Sequence, residues 1–158
     1  MYPTYSIDEL ILREVLDDVN ATIKWCQNNN DNPEVVSYLR MVGELDSAKQ
    51  KGIEFVNSSQ NTPTKINALL RLATVHHWLV EFEESEAIYQ ECLALCQRND
   101  FFVNEAFAHQ HISKLYIDMN RIEQAKEHAN EALRLRQKYD VTRVDSTRLV
   151  LSYLNENY

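Results

Sequence analysis

Residues 66–98, INALLRLATVHHWLVEFEESEAIYQECLALCQR, can be laid over residues 106–138, AFAHQHISKLYIDMNRIEQAKEHANEALRLRQK, at a constant offset of 40. Only six positions are identical, so identity is not what makes the match. The residue classes agree where packed helices need them to: Leu72 over Ile112, Ala73 over Ser113, Phe82 over Ile122, Ser85 over Ala125, Leu93 over Leu133 and Leu95 over Leu135. Small falls on small and large on large. A fixed period of this length marks a stack of similar supersecondary units, each burying its apolar face against its neighbours.

The units should be helical hairpins. Two Gly and three Pro in 158 residues leave few breaks in regular structure, and 44% hydrophobic residues can build a core without a metal or disulfide. The first long hairpin should turn near Val80-Glu81, after a helix opened by Thr62 as N-cap with Pro63 behind it. Upstream, VVSYLRMVGELDSAKQKGIEFV (35–56) reads as a weaker copy with Gly43 at its turn and Ala48 as its small residue. Before that, Ser6-Ile7-Asp8-Glu9 has the form of a capping box. It predicts a helix with Leu12, Val15, Leu16, Val19, Ile23 and Cys26 on one stripe, stopped by NNNDNP (28–33). The tail VTRVDSTRLVLSYLNENY predicts a final helix opened by Thr142 and Asp145, with Val144, Leu149, Leu151 and Leu154 partly buried. The expectation is a single all-α domain: a capping helix at 6–28, a weak repeat at 33–57, repeats at 63–98 and 101–139, and a capping helix at 142–156.

This pattern resembles the tetratricopeptide repeat, whose first helix carries a large-then-small pair and an aromatic, and whose second carries a small residue followed by Ala-Leu. In the later hairpin Ile112-Ser113, Tyr116, Ala125, Ala129 and Ala132-Leu133 all match. In the earlier one Leu72-Ala73 fits, while His76 stands where an aromatic is usual, Ser85 where Ala is usual and Cys92-Leu93 where Ala-Leu is usual. The period of 40 is similar to the extended repeats of some bacterial regulators and kinesin light chains, and EALRLRQKYD looks like the end of one.

The resemblance implies a right-handed α-solenoid of antiparallel hairpins. It implies a non-catalytic interaction module whose concave groove, lined by the first helix of each hairpin, holds a peptide or helix of another protein. By the repeat register that face would display Ser37, Arg40 and Met41, then Asn67, Leu70, Arg71, Thr74, His77 and Trp78, then Phe107, Gln110, His111, Lys114 and Ile117. Trp78, Leu70, Phe107 and Ile117 would supply affinity, and Arg40, Arg71 and Lys114 would orient acidic or carbonyl groups. The family's carboxylate clamp of Lys and Asn is not reproduced, since Leu70, Thr74, Gln110 and Lys114 occupy those places.

The stretch HHWLVEFEESEAIYQECLALC invites a metal or redox reading. With a turn at Val80-Glu81, His76 and Cys92 are offset by about 10 Å along their helices, too far for zinc ligands that must lie at about 2.0–2.3 Å. Cys92 and Cys96 are one turn apart within a helix and lack the Cys-x-x-Cys form of a redox pair, so they read as small apolar residues. No nucleophile and base, phosphate-binding Gly loop or paired carboxylates can be assembled around His109, His111 or His128, so no catalytic residue, cofactor or metal is expected.

The formal charge of −8 lies in the first hundred residues, which hold 16 acids against 8 Lys and Arg. Such a surface disfavours nucleic acid and anionic membranes. It leaves open a second function class, a small acidic inhibitor, immunity or chaperone-type protein that covers a basic toxin or secreted effector. MYPTYSIDEL has neither the basic segment nor the apolar run of a secretion signal, and three cysteines are an odd number, so a reduced cytoplasmic setting is expected. Nothing in the sequence specifies an oligomeric state.

Overall fold

The computed structural model describes residues 1–158, and the chain divides into two compact units, Met1–Glu81 and Phe82–Tyr158. The fold is an all-α helical repeat with one small β-hairpin, and none of its helices is long and apolar enough to cross a membrane.

The first unit opens with that hairpin, β1 (Tyr5–Asp8) paired antiparallel with β2 (Arg13–Leu16), and continues with α1 (Val19–Asn28), α2 (Val35–Met41), α3 (Leu45–Ser58) and α4 (Thr62–Trp78). The expected helix from Ser6 is therefore corrected: only its second half is helical. The Asp8 carboxylate turns the chain by accepting from the Leu10 amide at 2.8 Å, and Leu12 adopts a left-handed φ of 55°. Asp17 N then bonds Thr4 O at 3.1 Å, and the helix begins one residue later, where the Asp18 carboxylate accepts from Ala21 N at 2.9 Å. Of the six stripe residues only Leu12 and Cys26 are buried. The unit's core gathers Cys26, Val35, Val36, Tyr38, Ala48 and Val75, with Leu16, Trp25, Leu39, Met41 and Phe55 packed against it. Helices α3 and α4 approach closely at Gly52, where a Cβ would lie 2.9 Å from Leu72 Cδ1. The N-cap of α4 is Asn61 rather than Thr62, accepting from Thr64 N at 3.0 Å.

The second unit holds α5 (Phe82–Arg98), α6 (Phe102–Asp118), α7 (Ile122–Tyr139), a 3₁₀ turn at Val141–Arg143 and α8 (Val144–Asn157). Ala106, Ala108, Ile112, Leu115, Ala125, Ala129 and Ala132 are wholly buried, the alanines of α7 allowing α6 to lie close. The last helix has no side-chain cap: Thr142 donates instead to Asp140. Its buried residues are Val144, Thr147, Val150 and Leu154, with Leu149 and Leu151 partly buried as expected.

Three turns share one geometry. After α2, α4 and α6 the chain passes through a left-handed residue, Gly43 (φ 89°), Val80 (φ 62°) and Asn120 (φ 57°). Two backbone bonds close each turn. They are Gly43 N to Arg40 O and Glu44 N to Leu39 O, Val80 N to His77 O and Glu81 N to His76 O, and Asn120 N to Ile117 O and Arg121 N to Tyr116 O. These are Schellman closures, which satisfy the last carbonyls of a helix. Val80 is the costly member, because a β-branched residue in this region crowds its own backbone. Its side chain is exposed, so little packing is at stake. Val80→Asn, taking the residue found 40 positions later, should raise stability by about 1 kcal/mol. Equilibrium urea unfolding measures this, and an unchanged or lower midpoint would contradict it.

Candidate partner-binding face

In the first unit the side chains expected to face a partner sit on α2 and α4, and several already have partners within the unit. Arg40 is buried and forks onto Glu14 of β2, Nη1 donating to Oε2 at 3.0 Å and Nη2 to Oε1 at 3.2 Å. Its guanidinium carbon also lies 4.5 Å from the Trp78 ring centroid, and that of Arg13 lies 4.8 Å from the same centroid. Trp78 thus works as a cation-accepting ring for both arginines. Arg71 pairs with Glu34 on the segment leading into α2. Leu70, Thr74 and His77 are buried, the Thr74 hydroxyl being spent on Leu70 O at 2.8 Å. Met41 packs against the core, and of the expected set Ser37, Met41, Arg71 and Trp78 keep partial exposure in this unit and Asn67 is exposed.

At the end of α4, His76 Nδ1 stands 2.6 Å from Glu81 Oε2, and Lys49 Nζ donates to both Glu81 oxygens at 2.8 Å. Hydrogen bonding from Lys49 and His76 outweighs desolvation and holds the Glu81 carboxyl below its ordinary pKa.

In the second unit α6 carries the expected residues. Gln110 is buried and accepts from Thr147 at 2.6 Å and Ser146 at 3.2 Å, so α8 covers it. His111 is buried between Phe107, 4.4 Å away, and Tyr89, 6.4 Å away. Ile117 is buried as well, leaving Phe107 and Lys114 as the partly exposed members. They are seven residues apart, two helical turns, and so share a stripe.

Two polar clusters lie outside the expected set. Glu86 accepts from the Tyr116 hydroxyl at 2.6 Å and from Arg121 Nη1 at 2.9 Å. Burial works to raise the Glu86 pKa, but these donors keep it below the ordinary value; burial and Glu86 together raise that of Tyr116. His109 and His128 meet across α6 and α7 with Nδ1 atoms 2.8 Å apart. Burial lowers both, His128 to about 4, with His109 adding to the shift. His128 is therefore not the exposed residue its Glu-rich surroundings suggest. The signal was available: His109 is eleven residues before Asn120 and His128 eight after it, close enough along the two helices to meet.

Cys26, Cys92 and Cys96 are buried, and none of them forms a disulfide. The neighbouring Cys96 sulfur and then burial push the Cys92 thiol up, which leaves it a poor nucleophile. No group of three or more His, Cys, Asp or Glu side chains is arranged to hold a metal ion. Arg71 and Trp78 on α4, and Phe107 and Lys114 on α6, are partly exposed rings and cations at two-turn spacing.

No curated protein matches the chain at a significant level. The family model of the tetratricopeptide repeat matches residues 64–138, which run from the start of α4 almost to the end of α7. That span holds four helices, α4 to α7, with the same left-handed turn after the first and the third, 40 residues apart, and residues 64–138 of this chain are accordingly a tetratricopeptide repeat region.

Proposed function

We propose that the chain is a non-catalytic interaction module that binds a peptide or helical segment of a partner protein along the first helices of its repeats. Tetratricopeptide repeats generally mediate protein–protein interaction. The observation that carries the reading here is the recurrence, on α4 and again on α6, of a partly exposed ring and a cation seven residues apart. A ring on a rigid helix gives contact area at small entropic cost, and a cation two turns away fixes the register of a bound carbonyl or carboxylate. Of the seven buried members of the expected set, Leu70, Thr74, His77, Gln110, His111 and Ile117 would act by holding these anchors in place. Within α6, Phe107 supplies burial and Lys114 orientation.

Affinity capture compared between wild type and the double variant Phe107→Ala with Lys114→Ala tests the reading. Proteins enriched by the wild type should fall about tenfold or more with the variant, while its helical circular dichroism is retained. The enrichment should survive high salt, because it rests on a desolvated ring more than on screened charge. An identical set of captured proteins from both would sink the proposal.

A further inference from the structure

The β-hairpin rests on side chains of α2 and α4 that the repeat pattern assigns to partner binding. Glu14 meets both guanidinium nitrogens of Arg40, and the paired side chains are 4% and 11% exposed on the arginine and glutamate sides. Arg13 stands over Trp78. Farther along, Pro3 O accepts from the Tyr38 hydroxyl at 3.2 Å, and Tyr2 packs on Trp25 with ring centroids 5.3 Å apart. An extended segment thus lies against the first helices, with an acidic side chain on a buried arginine and a basic one on a tryptophan.

The strands themselves are weak. Each has four residues, no third strand supports them, and Tyr5, Leu10, Ile11 and Val15 are exposed. A two-stranded hairpin of this size has little stability of its own, so its position depends on the contacts it makes with α2 and α4. Those contacts are also selective. Removing Glu14 would leave a buried guanidinium without its anion, a state that is strongly disfavoured until another carboxylate arrives. Removing Arg13 frees a ring face that a second cation can take.

We infer that residues 5–16 are a built-in ligand for the α2–α4 face, displaced in function by an extended partner peptide carrying a basic residue beside an acidic one. The inference rests on the interaction-module reading and gives it a partner chemistry. The acidic residue of the partner replaces Glu14 at Arg40, and its basic neighbour replaces Arg13 at Trp78. The face is open only when such a peptide competes, which sets both a threshold and a filter on binding.

The test uses the full chain and a fluorescent synthetic peptide spanning residues 2–17 of its own sequence. In the wild type the tethered copy should outcompete the probe. Val15→Pro, which disrupts the ladder opposite Ser6 without altering α2 or α4, should bind the probe at least about tenfold more tightly. A probe with Arg13 and Glu14 both changed to Ala should lose that gain. Equal binding by wild type and a folded V15P protein, or equal binding of the two probes, overturns the inference. If V15P does not fold, hydrogen exchange of the wild type decides. Ladder amides of the hairpin must exchange about 100-fold or more faster than interior amides of α4, and equal protection refutes a displaceable segment. The outcomes are separable from the capture experiment. Failure of the α6 variant to alter capture removes the proposed role of Phe107 and Lys114, whereas the probe reads the first unit alone.

Discussion

Asp140→Ala should destabilise the second unit by about 3 kcal/mol, although Asp140 lies beyond the end of a helix and touches nothing expected to bind a partner. The reason is Arg136, which is 1% exposed, has no partner at Nε, and forms its ion pair with Asp140, Nη1 to Oδ2 at 3.2 Å. Burial pulls the Arg136 pKa below its ordinary value and Asp140 opposes the shift. Truncating the acid leaves a cation in the interior with no anion. Truncating the cation is a different change. The residue 40 positions earlier is Cys96, wholly buried, so the repeat accommodates an uncharged side chain there. Arg136→Met should therefore cost no more than about 1 kcal/mol, and the double variant R136M/D140A should return to within about 1 kcal/mol of wild type. Urea unfolding of all four proteins closes the cycle. Equal losses from both single variants would show that the pair itself, and not the stranded charge, is what matters.

The second large effect is a loss of stability in mild acid. An unfolded histidine titrates near 6.5, and folded His128 titrates at about 4. Between those values the unfolded chain binds a proton that the folded chain refuses, so stability present above about pH 6.5 is lost as pH falls toward 4. His109 shifts in the same direction. Allowing for the partial exposure of His128, the loss should be about 2 kcal/mol over that window. Glu86 and Glu131 face the same cluster, with Arg121 and Arg134 beside them, and their lowered pKa values remove further stability only below the ordinary carboxylate range. The two contributions are thus separated in pH. His109→Leu with His128→Ile, the residues carried at positions 69 and 88 of the earlier copy, should flatten the curve between pH 6.5 and 4.5. A variant whose unfolding midpoint falls with pH as steeply as wild type would assign the effect to other groups.

The repeat was readable because its signal is redundant. A period of 40, matched residue classes at packing positions and the turn expected near Val80-Glu81 all give the same register, and the structure repeats that turn at Asn120. The segment from 5 to 16 offered no such redundancy. Leu12, Val15, Leu16 and Val19 fit a helical stripe, but strand pairing also suits Tyr5, Ile7 and Val15, and the choice fell to Asp8 and to a contact between Glu14 and Arg40 across 26 residues of chain. A local capping pattern cannot report a partner that far away. Seven of the fourteen positions of the expected face are buried for a related reason. Helical spacing says which residues share a side, but not that Ser146 and Thr147 of a later helix will cover Gln110. Trp78 illustrates both limits, since its place on α4 was legible and its two arginines were not.

The shared closure of the turns after α2, α4 and α6 makes array length a separable property of this chain. A block running from one left-handed residue to the next, such as residues 81–120, begins and ends on the same backbone geometry and the same pair of amide bonds. Such a block can be duplicated or deleted without redesigning a junction, because the incoming end presents the conformation the outgoing end leaves behind. The number of repeats is then free to follow the length of whatever the module must hold, while the terminal helices stay unchanged.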